Sequence, residues 1–506
     1  MDKRNFNRRE FIKTIGFSAA ASTIPFSIQC SDKQSLKGKK YNVLFIAVDD
    51  LRPQINCYGH RQMISPNIDN LASTGTIFNR CYCQVPVCGA SHASLLTGTR
   101  PTRNRFRTYL ASAEKEYPEA TGLPMHFKNN GYYTISNGKV YHHKNDSVDG
   151  WSEEPWRPKG TWRNYLLAEN IKLAEKNKDH AGPAYEAADV ADNAYFDGMI
   201  ADKAISDLRR LADMDKPFFL ALGFLKPHLP FNAPKKYWDL YKREEIDLAD
   251  NPFRPKGAPD AALHNWGELR AYEGIPKEGP LPDELARTLI HGYYACVSYI
   301  DAQIGRVLAD LSRLGLRDNT IVLLWGDHGW NLGEHGLWCK HCNFETSLHS
   351  PLIVTAPEIE GAPDRVGGLT EYLDIYPSLC ELCGLALPGH LQGKSFVQLM
   401  TRLGAASRSG ESANIPGKKA VFSRFKDGDS VKTDRYRYTE WRGKDGKVYA
   451  RMLYDHYVDP FENVNISERP ENKELVEKLS KMLENVRAIG TTASHGKTSG
   501  AYELNK

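Results

Sequence analysis

Asn42-Val43-Leu44-Phe45-Ile46-Ala47-Val48-Asp49-Asp50 decides the fold: an almost unbroken apolar run closed by two adjacent carboxylates. The run does not alternate between apolar and polar residues. Such a strand must be covered on both faces, as strands of a parallel sheet between helical layers are. Tyr133–Ser136, Pro217–Gly223 and Thr320–Trp325 have the same character. Helical patterns lie between them. One opens at Ser65-Pro66, with proline at the first helical position, and closes at Gly75. Another runs from about Leu285 to Leu314, with Leu289, Tyr293, Val297, Ile300, Ile304, Val307 and Leu311 on one stripe before Gly315. The alternation predicts an α/β protein: a central, mostly parallel sheet flanked by helices.

The pattern changes near Pro388. A Gly/Ser/Arg-rich segment at 404–419 precedes strand-like Ala420–Phe425, Tyr436–Trp441 and Val448–Leu453, and a helical pattern near Leu475–Ala488. The reading is a main domain over 41–388, a smaller β-rich C-terminal subdomain with a covering helix over 389–490, and a tail over 491–506. Residues 1–30 read as an export signal of the twin-arginine type. Arg8-Arg9 precede a short apolar stretch from Thr14 to Ile28 that is too short to span a bilayer. Cys30 stands where a lipid-anchored cysteine would be, although Gln29 beside the cut makes a poor lipobox. The expected location is the periplasm, and no transmembrane segment is expected.

Sixty-six basic and 62 acidic residues give a net charge of +4, too even to point to nucleic acid as a partner. Cys339/Cys342 and Cys380/Cys383 are spaced too far apart for a zinc ribbon. The second pair lies in an apolar helical pattern and reads as buried small residues. A local disulfide is left open for the first.

In open α/β sheets, ligands bind beyond the C-terminal ends of the strands. Those ends carry Asp49-Asp50, then Gly138-Lys139-Val140-Tyr141-His142, then Lys226-Pro227-His228, and finally Asp327-His328, with Lys340 a short loop further on. Each alone is an ordinary cap or turn. Together, the carboxylates suit a hard divalent cation, and the Lys and His residues suit a tetrahedral oxyanion. Val87-Cys88-Gly89-Ala90-Ser91-His92 opens a further helical turn, so Cys88 sits near a helix N-terminus, where backbone amides favour an anion. From the residues alone, Cys88 is a buried structural thiol or an activated thiolate.

These pieces, in this order, resemble the type I sulfatases, specifically those similar to iduronate-2-sulfatase. The resemblance runs from Tyr41 to about Asn465 and includes Thr97-Gly98-Thr99-Arg100-Pro101, Asp327-His328-Gly329-Trp330, Gly333-Glu334-His335-Gly336, and Leu453-Tyr454-Asp455 before Asp459-Pro460. It implies an alkaline-phosphatase-like fold. It also implies oxidation of Cys88 to formylglycine, whose hydrate is the nucleophile. Asp49, Asp50, residue 88, Asp327 and His328 would bind Ca2+, with Mg2+ an alternative on ligand chemistry. Lys139 and Lys340 would hold sulfate oxygens, His228 would protonate the leaving alcohol, and His142 would act as base. The family motif has arginine where this chain has His92, so His92 is the candidate stand-in facing the aldehyde or sulfate.

Arg100, Arg103 and Arg105, followed by Arg107, are candidate contacts to further anionic groups of the substrate. Trp151, Trp156, Trp162 and Tyr165 are candidate stacking faces for sugar rings. The expected substrate is a sulfated, uronic-acid-containing polysaccharide or oligosaccharide; a glycosaminoglycan and an algal polymer such as ulvan both fit. The other expected partner is a formylglycine-generating or anaerobic sulfatase-maturating enzyme. The alternatives are a phosphodiesterase or phosphonate hydrolase of the same superfamily, or a non-catalytic polysaccharide binder if Cys88 stays a thiol.

Overall fold

The apolar runs form the centre of a seven-stranded sheet. In the computed structural model, which describes residues 40–492 apart from 178, 358, 360–363 and 402–416, β1 is Asn42–Val48 and β2 is Thr76–Phe78. β3 is Tyr133–Gly138, β4 Phe218–Phe224, β5 Thr320–Gly326, β6 Leu352–Thr355 and β7 Arg365–Val366. The order across the sheet is β7-β2-β6-β5-β1-β4-β3. β5, β1, β4 and β3 are mutually parallel, whereas β6 is antiparallel to both β5 and β2. The parallel expectation holds for the four long apolar strands. It misses β6, which returns beside β5 directly, without a crossover helix, after the loop that carries Lys340.

Both faces of β1 are covered. Leu44, Ile46 and Val48 pack on one side with α3 (Phe196–Ala212) and α4 (Asp283–Arg313). Val43, Phe45 and Ala47 pack on the other with α2 (Cys88–Thr97) and α5 (Ile375–Leu382), and α1 (Pro66–Ser73) adds to the first side. This two-sided core is why β1 reads as continuously apolar. At the sheet's functional edge, the ends of β3 and β4 approach closely. A Cβ at Gly138, which has φ of 80°, would lie 2.2 Å from the Gly223 carbonyl oxygen. Only glycine lets the chain leave β3 there and deliver Lys139.

The C-terminal strands β8 (Ala420–Phe425), β9 (Gly428–Thr433), β10 (Tyr436–Arg442) and β11 (Val448–Asp455) form an antiparallel meander. One face packs Val431, Tyr438 and Leu453 against Val476, Leu479 and Leu483 of α6 (Lys473–Thr492). The other joins the main body: Arg437 is paired with Glu345 and, at 3.1 Å, with Glu462.

Residues 1–30 with Cys30, most of the 404–419 segment and most of the 491–506 tail lie outside the described residues. Among the described residues, no helix is long and apolar enough to cross a membrane. The disulfide left open for Cys339 and Cys342 is not formed: both thiols are free and buried, and Cys342 Sγ lies 3.0 Å from the Ser347 hydroxyl. Cys380 and Cys383 are free and buried on α5 and its cap.

Candidate active site

Three chain segments meet where β1 and β5 end. The ladder continues past both strands, with Asp49 N donating to the Phe224 carbonyl and Asp327 N to that of Val48. Asp50 then turns into the left-handed region at φ 62° and donates its amide to Asp327 Oδ1 at 2.8 Å. Tyr293 of α4 braces this turn, donating its hydroxyl to the Asp50 carbonyl at 2.9 Å. Cys88 is the first residue of α2, a helix buried along its whole length. Ser91, one turn on, ties α2 to the Asp327 carbonyl at 2.5 Å.

Asp50, Cys88, Asp327 and His328 converge so that one donor atom from each lies within 4.8 Å of the others. His328 Nε2 is 3.2 Å from Asp327 Oδ2, 3.4 Å from Asp50 Oδ1 and 3.3 Å from Cys88 Sγ. Its Nδ1 lies 2.8 Å from the Gly329 carbonyl, an acceptor, so Nδ1 carries the hydrogen and Nε2 turns a lone pair into the cluster. Asp49 is adjacent, grouped with Cys88 and His228 and with His92 and Asp327.

The donor chemistry fits a hard divalent cation. Asp49 Oδ1 and Asp327 Oδ2 are buried carboxylate oxygens without a hydrogen-bond partner. Burial, helped by Asp49 and Asp327, pushes the Asp50 carboxyl well above its ordinary range despite Lys340. Three carboxylates are thus too crowded to ionise together, and a dication relieves that crowding. The thiol is the soft exception. Burial and then Asp49 push Cys88 well above the usual thiol value, which makes it a poor thiolate nucleophile.

Two lysines frame the cluster. Lys139 Nζ pairs with Asp49. Lys340 Nζ, held between two left-handed residues, Cys339 and His341, lies 3.1 Å from both Asp50 oxygens and over the Trp330 ring. Burial opposes both charges, yet the carboxylates beside them hold both lysines above their usual value. His142 is driven down to about 2, first by burial and then by Lys139, so it is neutral; its Nδ1 is buried without a partner. His228 Nδ1 is 2.6 Å from the Leu229 carbonyl, and its Nε2 faces Glu268 Oε1 at 3.2 Å and Asp50 Oδ2 at 3.9 Å.

Other candidates are placed differently. His92 is 1% exposed, with Nδ1 donating to the Val140 carbonyl at 2.6 Å and Nε2 3.5 Å from Asp327 Oδ2. It lies behind a carboxylate of the cluster rather than on an open substrate surface, because α2 turns its side chain under β5. The arginines are engaged with the framework. Arg100 forks onto Glu371 at 2.8 and 2.6 Å, and Arg103 donates to the Arg442 and Gly443 carbonyls. Arg105 donates to the Arg100 carbonyl and stacks on Tyr117. Arg107 is exposed. Of the aromatics, Trp151 packs into the core and Tyr165 donates to the Pro183 carbonyl, whereas Trp162 is 40% exposed and stands edge-on to His228. Glu268 carried no sequence signal: it sits in a segment without apolar periodicity and reaches the site only through the tertiary fold.

Comparison with known proteins gives a consistent result. The family described as Sulfatase matches residues 41–385, and the region described as N-sulphoglucosamine sulphohydrolase, C-terminal, matches 333–489. The chain is 32% identical to iduronate 2-sulfatase of Homo sapiens over 509 aligned positions, covering 84% of this chain and 90% of that one. A solved structure in complex with its substrate D-glucosamine-2-N,6-O-disulfate superposes with a TM-score of 0.70 at 21% identity, covering 91% and 100% of the two chains. The phosphonate monoester hydrolase of Agrobacterium radiobacter superposes with a TM-score of 0.72 at 22% identity, over 89% and 96%. At those identities the two structures share the fold.

Proposed function

The chain belongs to the sulfatase family and is a sulfuric ester hydrolase; from that premise we propose that it cleaves sulfate esters of an anionic, uronic-acid-containing polysaccharide or oligosaccharide, using formylglycine made from Cys88 and a divalent cation, Ca2+ or Mg2+. The observation that carries the reading is the buried convergence of Asp50, Cys88, Asp327 and His328 between two lysines. The uronate preference is supported by the likeness to iduronate 2-sulfatase. Export to the periplasm and maturation by a formylglycine-generating or anaerobic sulfatase-maturating enzyme belong to the same proposal.

A bound dication supplies charge neutralisation for the sulfate and lowers the pKa of a hydroxyl beside it. Conversion of Cys88 supplies an oxygen nucleophile where the buried thiol is a poor one. Lys139 and Lys340, charged and facing the carboxylate cluster, hold sulfate oxygens. His228 protonates the leaving alcohol at Nε2. Nδ1 faces the Leu229 carbonyl and keeps its hydrogen, so Nε2 gives a proton only from the imidazolium, which Glu268 Oε1 at 3.2 Å favours while burial and then Lys340 disfavour it. His142, neutral and with a buried, unpartnered Nδ1, is the candidate base; burial and then Lys139 oppose its protonation, so the role requires the bound anion to favour the charged form.

The test pairs mass spectrometry of the Cys88 peptide with inorganic sulfate release from sulfated uronate oligosaccharides and phosphate release from matched phosphate esters. The proposal expects formylglycine at residue 88 and sulfate release dominating. An unmodified thiol throughout an active preparation refutes the nucleophile, and preferential phosphate release refutes the ester class.

A further inference from the structure

Glu268 stands against both groups assigned to the ester, gathered with Asp50 and His228 at the margin of the cluster, and no sequence pattern pointed to it. It lies on the short helix Gly267–Arg270, entered through Trp266 at φ 45°. Arg270 packs on the Trp266 ring at 3.5 Å and donates to the Asn265 and Gly279 carbonyls. The segment presenting Glu268 is therefore pinned. Glu268 Oε1 lies 2.9 Å from Lys340 Nζ and 3.2 Å from His228 Nε2. Oε2 is buried and has no hydrogen-bond partner; His341 Nδ1 lies 3.9 Å from it. The side chain is 21% exposed, at the margin of the cluster.

Lys340 is shared between Glu268 and Asp50, both of whose oxygens also lie 3.1 Å from its Nζ. A further negative charge beside a sulfate-binding lysine weakens anion binding unless the substrate brings something for it. One carboxylate oxygen is unspent, and carboxylates accept from donors.

We propose that Glu268 is a specificity-determining residue that accepts a hydrogen bond from a hydroxyl or amine on the carbon next to the sulfated one. The inference rests on the assignment of His228 to the leaving-group side. An ester oxygen within hydrogen-bonding distance of His228 Nε2 carries its neighbouring substituent roughly 3 Å further along the ring, into reach of a carboxylate that touches the same nitrogen. A hydroxyl or ammonium there is bound. A carboxylate there is repelled, so the uronate group of the substrate points away from Glu268.

The experiment measures kcat/KM for sulfate release by the full-length mature enzyme and by Glu268→Gln and Glu268→Ala. Three substrates are compared: a sugar sulfate with a free vicinal hydroxyl, its vicinal deoxy analogue, and 4-nitrophenyl sulfate. Wild type is expected to prefer the hydroxylated over the deoxy sugar by about 10- to 100-fold. Both variants are expected to reduce that preference to less than about threefold, while aryl sulfate turnover falls by less than about tenfold. Glu268→Gln keeps the shape, and its thermal midpoint checks folding. A preference that survives in both variants overturns the inference. An equal loss on all three substrates also overturns it, leaving Glu268 as a strut for His228 and Lys340. Wild-type cleavage without vicinal preference refutes this inference alone; wild type releasing sulfate from none of the three refutes the sulfate-ester proposal and this inference with it.

Discussion

Arg100 tests whether the arginines after α2 bind substrate or hold the fold together. Glu371 is fully buried, receives both Arg100 nitrogens at 2.8 and 2.6 Å, and is bonded by Lys418 at 2.6 Å and by the Phe422 amide at 2.9 Å. Burial works against its charge, but Arg100 and then Lys418 override burial and bring its pKa from an ordinary 4.5 down to about 2. That depression corresponds to roughly 3 kcal/mol of stability. Because the folded value is the lower one, this stability is fully present above pH ~4.5 and fades as pH falls toward ~2. Arg100 and Lys418 share it, and Arg100→Met also leaves Glu371 with a weaker set of donors. The expected cost is therefore about 2 kcal/mol at neutral pH. Urea unfolding of Arg100→Met against wild type reads this as a lower midpoint, with kcat/KM of the folded fraction changed by less than about threefold. The reasoning is refuted if the midpoint is unchanged and KM for a sulfated oligosaccharide rises tenfold or more, since that pattern places Arg100 on the substrate.

The carboxylate cluster gives a second test: Asp50→Asn is expected to lose the bound divalent ion, measured by elemental analysis, and to cut turnover by at least ~100-fold with the fold retained by circular dichroism. Wild-type turnover by a metal-free preparation contradicts it. His228→Ala is expected to slow a sugar sulfate by about 10²–10⁴-fold and an aryl sulfate far less, because a phenolate leaves with little protonation; equal losses remove His228 from the acid role. His92→Gln keeps a donor for the Val140 carbonyl but removes the ring whose Nε2 lies 3.5 Å behind Asp327 Oδ2, so divalent-ion affinity is expected to fall about 10- to 100-fold. An unchanged affinity in a calcium titration shows that His92 does not orient Asp327.

Much was legible because both-sided burial leaves a mark on the residues themselves. Asn42–Val48 and its three companions are apolar throughout, whatever the order in which they pair, and the 31-residue α4 shows its stripe over many turns. Chemistry at strand ends is legible for a related reason. Asp49-Asp50, Lys139 and Asp327-His328 follow strands directly, so the sheet alone brings them to one edge. Other features depend on contacts between distant segments, which local pattern does not encode. β6 has four residues, and its antiparallel place is set by pairing with β5 and β2. Arg100 looks like any surface cation in sequence; only folding brings it 271 residues back onto a buried Glu371. His92 becomes a partner of Asp327 rather than of a ligand because α2 packs beneath β5. Glu268 meets Lys340 across 72 residues of chain. The sequence by itself determined the layers and the edge at which polar groups collect, since burial and strand direction are local in their demands. The tertiary structure decided which charges are spent on one another and which remain turned toward a substrate, because an ion pair is settled by distance in space.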